Sequence, residues 1–408
     1  MIDINNLNKI DETRTYTLRG QKETFDIYTI PLNLLKYNEK NGRIASYITE
    51  YIDEQNYLPN DVQKFNELIE KFIVESASDA FKKTKNNIKQ LGQIEPAIVL
   101  NNGIVVDGNR RFSALRQLQR EGAGAEFGYL KAAIINESQY SDKEIKTLEL
   151  NLQHARESKV DYNPTERTID IYRDLIKDGG QFTPAEYAHE TDSTESKINE
   201  EIRISKLLLD YLEYIKEPFK FHIARNLKLD GPLREVDKIL RSNKVDVESK
   251  EDVKELLFAN ILTLDSGDIT RKIRDLRRVI EKPEKLDEML QELEDTFDDL
   301  DEELSSHKEE EEKRIGISED TDYIRKPSKV SISKEITEKV KKVSEKHVES
   351  AKISEAQKQP IEALSKAIDR LNDIDSDAVK RLVLKDKEEF NSLLDKAAKI
   401  ISCYKESN

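Results

Sequence analysis

The sequence predicts an α/β core followed by an all-α domain and a long helical, partly coiled-coil C-terminal region. Three observations carry that expectation. Short β-branched runs, IEPAIVL, GIVVD and YLKAAIIN, sit among amphipathic segments in the first 140 residues. From Ser141 onward apolar residues recur at helical spacing with little interruption. Leu286, Leu290, Leu293, Phe297, Leu300 and Leu304 alternate at steps of four and three, the a/d register of a coiled coil. The boundaries drawn from these patterns are 1–140 for the core, 141–280 for the helical domain, 281–330 for an acidic coiled coil and linker, and 331–408 for the C-terminal helices.

Each element has a local reason. TFDIYTIPL reads as a strand entering an X-Pro turn, and DVQKFNELIEKFIVESASDAFKK as an amphipathic helix beginning after Pro59. IEPAIVL and GIVVD read as a hairpin around Asn101-Asn102, with Gly103 opening the second strand. Phe112, Leu115 and Leu118 give NRRFSALRQLQ a helical face, and YLKAAIIN follows as a strand. Ser141 and Glu144 form a capping-box signature. Pro164 suits the first position of the next helix, which Gly179-Gly180 ends. TPAEYAHETDSTESKINEEIRISKLL predicts two helices joined at Thr191-Asp192, and three short helices follow up to Ile280. HKEEEEKRIGISEDTDYIRKPSK reads as a hinge before helical patterns at 332–349, 355–371 and 376–402.

Composition narrows the class. Of 408 residues 37% are hydrophobic and 37% charged, and tryptophan is absent, a balance that suits a modest globular part with long solvated helices. The single cysteine, Cys403, excludes an internal disulfide framework and a cysteine-based metal site. The histidines are scattered without ligand spacing, and no Walker-type, dinucleotide or Gly-x-Ser-x-Gly fingerprint occurs. No stretch approaches ~20 uninterrupted apolar residues and the N-terminus lacks a basic-then-apolar leader, so a soluble, cytoplasmic protein without a membrane partner is expected. The net charge of −15 is concentrated: sixteen Asp/Glu against four Lys, a balance of −12, lie between Glu281 and Lys313. A local nucleic-acid face elsewhere therefore stays open.

The stretch VVDGNRRFSALRQL joins a strand to a helix through Asp107-Gly108-Asn109-Arg110-Arg111. Backbone N–H groups at a helix N-terminus favour an anion, and arginine forks match phosphate oxygens. Asn109 as an ordinary cap with solvated arginines is the competing reading, although cations at a helix N-terminus oppose the dipole.

QLGQIEPAIVLNNGIVVDGNRRFSALRQL resembles the N-terminal core of the ParB/sulfiredoxin superfamily, with its strand pair and Gly-x-Arg-Arg-like signature. LELNLQHARESKVDYNPTERTIDIYRDLI resembles the ParB segment running Glu-Asn-Ile-Gln-Arg, Leu-Asn-Pro and a helix. TPAEYAHETDSTESKINEEIRISKLL resembles the helix-turn-helix that follows, here 183–206, and IPLNLLKYNEKNGRI the opening strand-Pro segment. The resemblance implies a core binding CTP or another NTP, with or without Mg²⁺. Gly108, Asn109, Arg110 and Arg111 would meet phosphates, Gln93 and Glu95 fall on the first nucleotide motif, and Asn151 and Gln153 on the third. The chain departs where the third motif's Glu falls on Leu150 and its Arg on His154, with Glu149 and Arg156 close by. Losing that carboxylate puts hydrolysis in doubt while leaving binding.

The resemblance also implies double-stranded DNA, a homodimer and a partition ATPase as partners. Ser193, Thr194 and Lys197 would reach the groove, and Ala188 and Ile198 would pack the two helices. Asp192 stands where glycine is usual, a residue that tolerates the left-handed conformation. Glu195, Glu200 and Glu201 make this helix poorly basic. TRKIRDLRRVI offers Arg271, Arg274, Arg277 and Arg278 opposite Ile273, Leu276 and Ile280. Two readings stay open for it: a phosphate-binding face, or a helix pairing with the acidic segment. The expected function is a nucleotide-gated DNA clamp of the partition, plasmid or mobile-element kind. The alternative is an NTP-hydrolysing or nuclease-like effector of a mobile element or anti-phage system, and a third reading is a scaffold acting only through its coiled coil.

Overall fold

The computed structural model describes residues 1–156, 163–264, 268–317, 330 and 332–406, in two compact units, Met1–Ser344 and Glu345–Asn408. Six strands form one mixed sheet: β1 (Asn8–Leu18), β2 (Gln21–Pro31), β3 (Lys36–Tyr37), β4 (Ala97–Leu100), β5 (Ile104–Asp107) and β6 (Tyr129–Ile135), in the order β1-β2-β6-β4-β5-β3. β4 runs parallel to β6 and β3 parallel to β5, while the other neighbours are antiparallel.

The expected hairpin β4–β5 is present. Gly103 takes φ 92, and a Cβ there would sit 2.5 Å from the Leu34 carbonyl oxygen, so only glycine lets the loop close on the segment before β3. β1 was not expected. It pairs with β2 through Arg19 and Gly20, both at positive φ, a two-residue turn of the kind that matches strand twist.

Helices cover both faces of the sheet. α1 (Ala45–Gln55), α2 (Val62–Ser76), α3 (Ser78–Leu91) and α4 (Asn109–Arg120) precede α5 (Asp142–Arg156). Ala77, at φ −155, breaks the single helix expected over 61–83 into α2 and α3. Alternate strand residues feed the two cores. Val99, Val105, Leu130, Ala132 and Ile134 pack with Phe65, Ile69, Phe112 and Leu115, whereas Ile98, Leu100, Val106, Ala133 and Ile135 pack with Leu148 of α5.

The helical part comprises α6 (Pro164–Ile171), α7 (Pro184–Glu190), α8 (Glu195–Tyr214), α9 (Phe221–Leu227), α10 (Asp230–Leu240), α11 (Lys250–Thr263), α12 (Ile269–Ile280) and α13 (Pro283–Ile317). Pro164 starts α6, which passes into a π-helical turn at Tyr172–Ile176. In α13 the buried positions are Leu286, Met289, Leu293, Thr296, Leu300 and Leu304, while Leu290 and Phe297 are half-buried. The covered stripe is thus rotated from the expected register, because α13 packs against α11 and α12 of its own chain.

α14 (Lys334–Asn372), α15 (Ser376–Lys380) and α16 (Leu384–Glu406) complete the chain. α14 runs through Pro360, joining two patterns expected as separate helices. The third expected pattern, 376–402, divides into α15 and α16. Among the described residues no helix is long and apolar enough to cross a membrane.

Candidate functional site

The turn between β5 and α4 is built by one glycine and one arginine. Gly108 sits at φ 99 and ψ 19, where a Cβ would come within 2.8 Å of the Ala97 Cβ and 3.1 Å of the Arg111 guanidinium. Only glycine combines that backbone with that approach. α4 therefore begins with no side-chain cap and with no acidic residue in its first turn. Its first-turn N–H groups and dipole point toward the turn. Asn109 Oδ1 is buried there without a hydrogen-bond partner.

Arg111 is turned inward. Its Nη1 donates to the carbonyls of Glu95 (2.8 Å) and Pro96 (3.1 Å), and Nη2 to Asp107 Oδ2 at 2.7 Å. Gln93 completes the frame, its Nε2 donating to the carbonyls of Glu95 and Lys131 at 2.9 and 2.7 Å while Oε1 accepts from the Lys131 N–H at 2.8 Å. The structure thus gathers Gln93, Glu95 and Gly108–Arg111 at one turn. It engages Gln93 and Arg111 in bracing the 93–96 loop, and leaves the Glu95 side chain exposed. Deeper in α4, Ser113 Oγ donates to the Asn109 carbonyl and lies 2.8 Å from the buried Tyr37 hydroxyl, tying the first turn to β3.

α5 brings a second group of residues beside this turn. Leu150 packs with Ile171, Phe182, Tyr187, Ala188 and Ile198, so the position expected to carry a carboxylate is part of an apolar core. Glu149 is buried instead beside Lys146, with Nζ–Oε2 3.4 Å, and Lys146 also lies 3.6 Å from Asp174 Oδ2. Burial raises the Glu149 carboxyl against the pull of Lys146, and the carboxylates of Asp170 and Asp107 add to the rise. Asp174 is pushed up to about 6, by burial first, with Lys146 opposing and Asp170 and Glu149 reinforcing it. Asp170 presses on Gly42, where a Cβ would lie 2.0 Å from its Oδ2. Sequence reasoning missed Lys146, Asp170 and Asp174. The visible signal is the Lys146–Glu149 and Asp170–Arg173 pairs, each three residues apart. Asn151 is half-buried on α5, and the side chains of Gln153, His154 and Arg156 lie outside the described residues.

α7 and α8 are joined by Thr191–Thr194. Thr183 and Glu186 form a capping box at the start of α7, and Asp192 takes the left-handed conformation at φ 45. Ala188 and Ile198 share one buried cluster. Ser193 is half-buried, and Thr194 caps α8 by accepting from the Lys197 N–H at 3.2 Å. Lys197 Nζ lies 3.0 Å from Glu200 and 3.3 Å from Glu201, and Arg234 bridges the same two glutamates. The charge of Lys197 is thereby matched within the chain.

α12 buries Ile273, Leu276, Val279 and Ile280 and turns its arginines outward. Arg274 pairs with Glu235 of α10 at 2.9 Å, Arg277 with Glu281 at 2.6 Å, and Arg278 with Asp275 at 3.8 Å. Arg271 and Lys272 carry no ion pair among the described residues, and Asp268 caps the helix at the Arg271 N–H, 3.0 Å away.

No family model matches the chain, and no curated protein does. Two solved structures give a distant likeness. The C-terminally truncated chromosome-partitioning protein ParB from Caulobacter crescentus, complexed to the centromeric parS site, is 14% identical with a TM-score of 0.30, over 61% of this chain and 98% of that one. A Pnob8-like ParB-N domain is 13% identical with a TM-score of 0.29, over 69% of this chain and 98% of that one.

Proposed function

We propose that this chain is a ParB-like DNA-binding protein whose N-terminal core takes a nucleoside triphosphate, CTP or another, at the Gly108–Arg111 turn. The observation that carries the reading is the start of α4. A left-handed glycine leads into a helix with no side-chain cap, no first-turn carboxylate and two consecutive arginines. Such a terminus attracts an anion. Backbone N–H groups and Arg110 face the phosphates, while Arg111 and Gln93 hold the 93–96 loop beside the turn. Among the described residues no cluster of three or more His, Cys, Asp or Glu could hold a metal ion. Leu150 in the apolar core leaves the third motif without its carboxylate, so binding rather than turnover is the core's task.

DNA engages α7–α8 through Ser193 and Thr194 and the outer face of α12 through Arg271 and Lys272. Nucleotide occupancy gates that engagement through α5, which touches both β5 and α7. A homodimer forms the clamp and a partition ATPase is its partner. Fluorescent CTP and ATP are titrated against the wild type and Arg110→Ala. Saturable binding that weakens at least about tenfold in the variant is expected, one charge-assisted phosphate contact being about 1.4 kcal/mol or more. Equal and negligible binding by both proteins overturns the nucleotide assignment.

A further inference from the structure

Within Met1–Ser344 the first helix of the core, α1, packs on α6 and α9, and the joint between them is built from buried polar groups. Glu166 of α6 is 2% exposed. Its Oε2 accepts from the Ser46 N–H at 3.1 Å and its Oε1 from the Ser46 hydroxyl, and among the described residues it forms no ion pair. Arg225 of α9 reaches the same hydroxyl, with Nη1 donating to Ser46 Oγ at 3.2 Å. Its charge is shared, because Nη2 donates to Glu50 of α1 and the guanidinium lies 3.9 Å over the Tyr47 ring. Asp170 follows Glu166 one turn along α6, 4.0 Å from Arg173, and presses on Gly42 just before Arg43. At the other end of α1, Lys220 pairs with Asp53 at 2.9 Å and Glu217 at 2.6 Å. His222 is buried beside them with neither ring nitrogen hydrogen-bonded, Nε2 lying 3.6 Å from Asp53 Oδ2. Ser205 Oγ of α8 donates to the Thr168 carbonyl of α6 at 3.0 Å, so the seat of α1 is continuous with α8.

We propose that this joint is a proton-operated latch: α1 stays seated on α6 and α9 while Glu166 carries a proton, and loosens when Glu166 gives that proton to solvent. A neutral carboxyl is far less costly to bury than a carboxylate, and the Ser46 hydroxyl can accept its O–H as readily as it donates. The ionised form has only the Ser46 donors and a guanidinium already shared with Glu50, with a second carboxyl group one turn away. Burial pushes Glu166 up to about 7, the Asp170 carboxylate adding to the rise while the Ser46 bonds and Arg225 oppose it. Once α1 lifts, the carboxyl meets water and returns to its ordinary 4.5. The seated joint thus binds more protons between those values. Its stabilisation is fully present below 4.5 and is lost as pH rises through about 7. His222 acts in the opposite sense. Burial lowers it against the pull of Asp53 and Glu50, so its protonation weakens the seat as pH falls. The latch is bounded on both sides.

This inference does not rest on the nucleotide or DNA reading, and its test contains neither ligand. Amide hydrogen exchange of the full chain is followed at pH 6, 7 and 8 for the wild type and Glu166→Gln. Rates are expressed as protection factors, which remove the intrinsic pH dependence of exchange. Taking the ratio of the two proteins cancels the contribution of His222 and every other group they share. For α1 and α9 the ratio of wild type to variant is expected to fall about tenfold from pH 6 to pH 8, as a shift from 4.5 to about 7 requires. Both helices should also be less protected than β4 and β6, since the latch opens without unfolding the sheet. A constant ratio overturns the latch, and so does protection of α1 and α9 equal to that of β4 and β6, which would mean that they open only by global unfolding. A second measurement needs no variant. The Glu166 carboxyl carbon, followed by NMR in the wild-type chain labelled at glutamate, should titrate near pH 7, and a midpoint near 4.5 overturns the latch whether or not Glu166→Gln folds.

Discussion

α4 and α12 both bury an apolar stripe and carry four arginines each, Arg110, Arg111, Arg116 and Arg120 on one and Arg271, Arg274, Arg277 and Arg278 on the other. Their surroundings treat these arginines differently. On α12 the cap is a carboxylate, Asp268, and three of the arginines face Glu235, Glu281 and Asp275. On α4 the cap is a bare glycine, Arg111 meets Asp107, which lies before the turn, and Arg116 and Arg120 meet Glu70. A helix start with neither a side-chain cap nor a first-turn carboxylate leaves its N–H groups and dipole open to an anion. The α12 face, already neutralised in large part, gains less from one. The difference teaches that the number of basic residues says little about an anion site, and that the carboxylates packed around them decide.

The largest effect is expected from Gly108→Ala, which breaks the turn on which the contrast depends. A side chain at φ 99 against Ala97 should cost about 2–4 kcal/mol, read by urea denaturation, and should abolish nucleotide binding. Stability unchanged within error would show that the turn relaxes and does not need glycine.

A middle-sized effect concerns the carboxylates behind the turn. Burial lifts Asp174 to about 6, so the folded chain holds that proton to higher pH than the unfolded chain does. The folded state then binds more protons over that window, and stability falls as pH rises from the ordinary aspartate range through about 6. Asp174→Asn should flatten this part of the profile in melting temperatures taken from about pH 4 to pH 7. A profile identical to the wild type would remove Asp174 as its source.

The smallest effect sharpens the α12 side of the comparison. Arg271→Ala or Lys272→Ala should lower the salt slope of DNA binding by about one each, the signature of one phosphate contact. Lys197→Ala should change it by much less, since Glu200 and Glu201 already hold that charge. Equal slopes for all three variants would dissolve the distinction between matched and unmatched cations.

Much of the architecture could be read from residues. Pro164, the Ser141–Glu144 box and Gly103 act through local backbone chemistry, and each begins an element where expected, whereas the helix expected to run to Gly179-Gly180 leaves helical geometry at Lys177. β1 was missed because Arg19-Gly20 is an unusual pair for its turn. The α13 register was displaced because two stripes lie side by side on one helix and only packing chooses between them. At the candidate site, Gly108 and its two arginines were visible, but the inward turn of Arg111 onto Glu95 and Pro96 was not. Nothing local to α4 distinguishes Arg110 from Arg111.

What the sequence determined by itself was therefore the set of elements governed by near neighbours: strands by short β-branched runs, helices by three-and-four spacing, ends by glycine, proline and capping residues. It also marked the Gly108–Arg111 turn as a candidate anion site, since a glycine before a basic helix start is a local feature. The tertiary structure alone decided which charges are matched and which carboxyl groups are buried. Those properties depend on side chains separated along the chain, such as Asp170 against Gly42, Lys146 against Asp174 and Arg274 against Glu235. Electrostatic energies and desolvation are set by distance in space, and spacing along one helix leaves them undetermined.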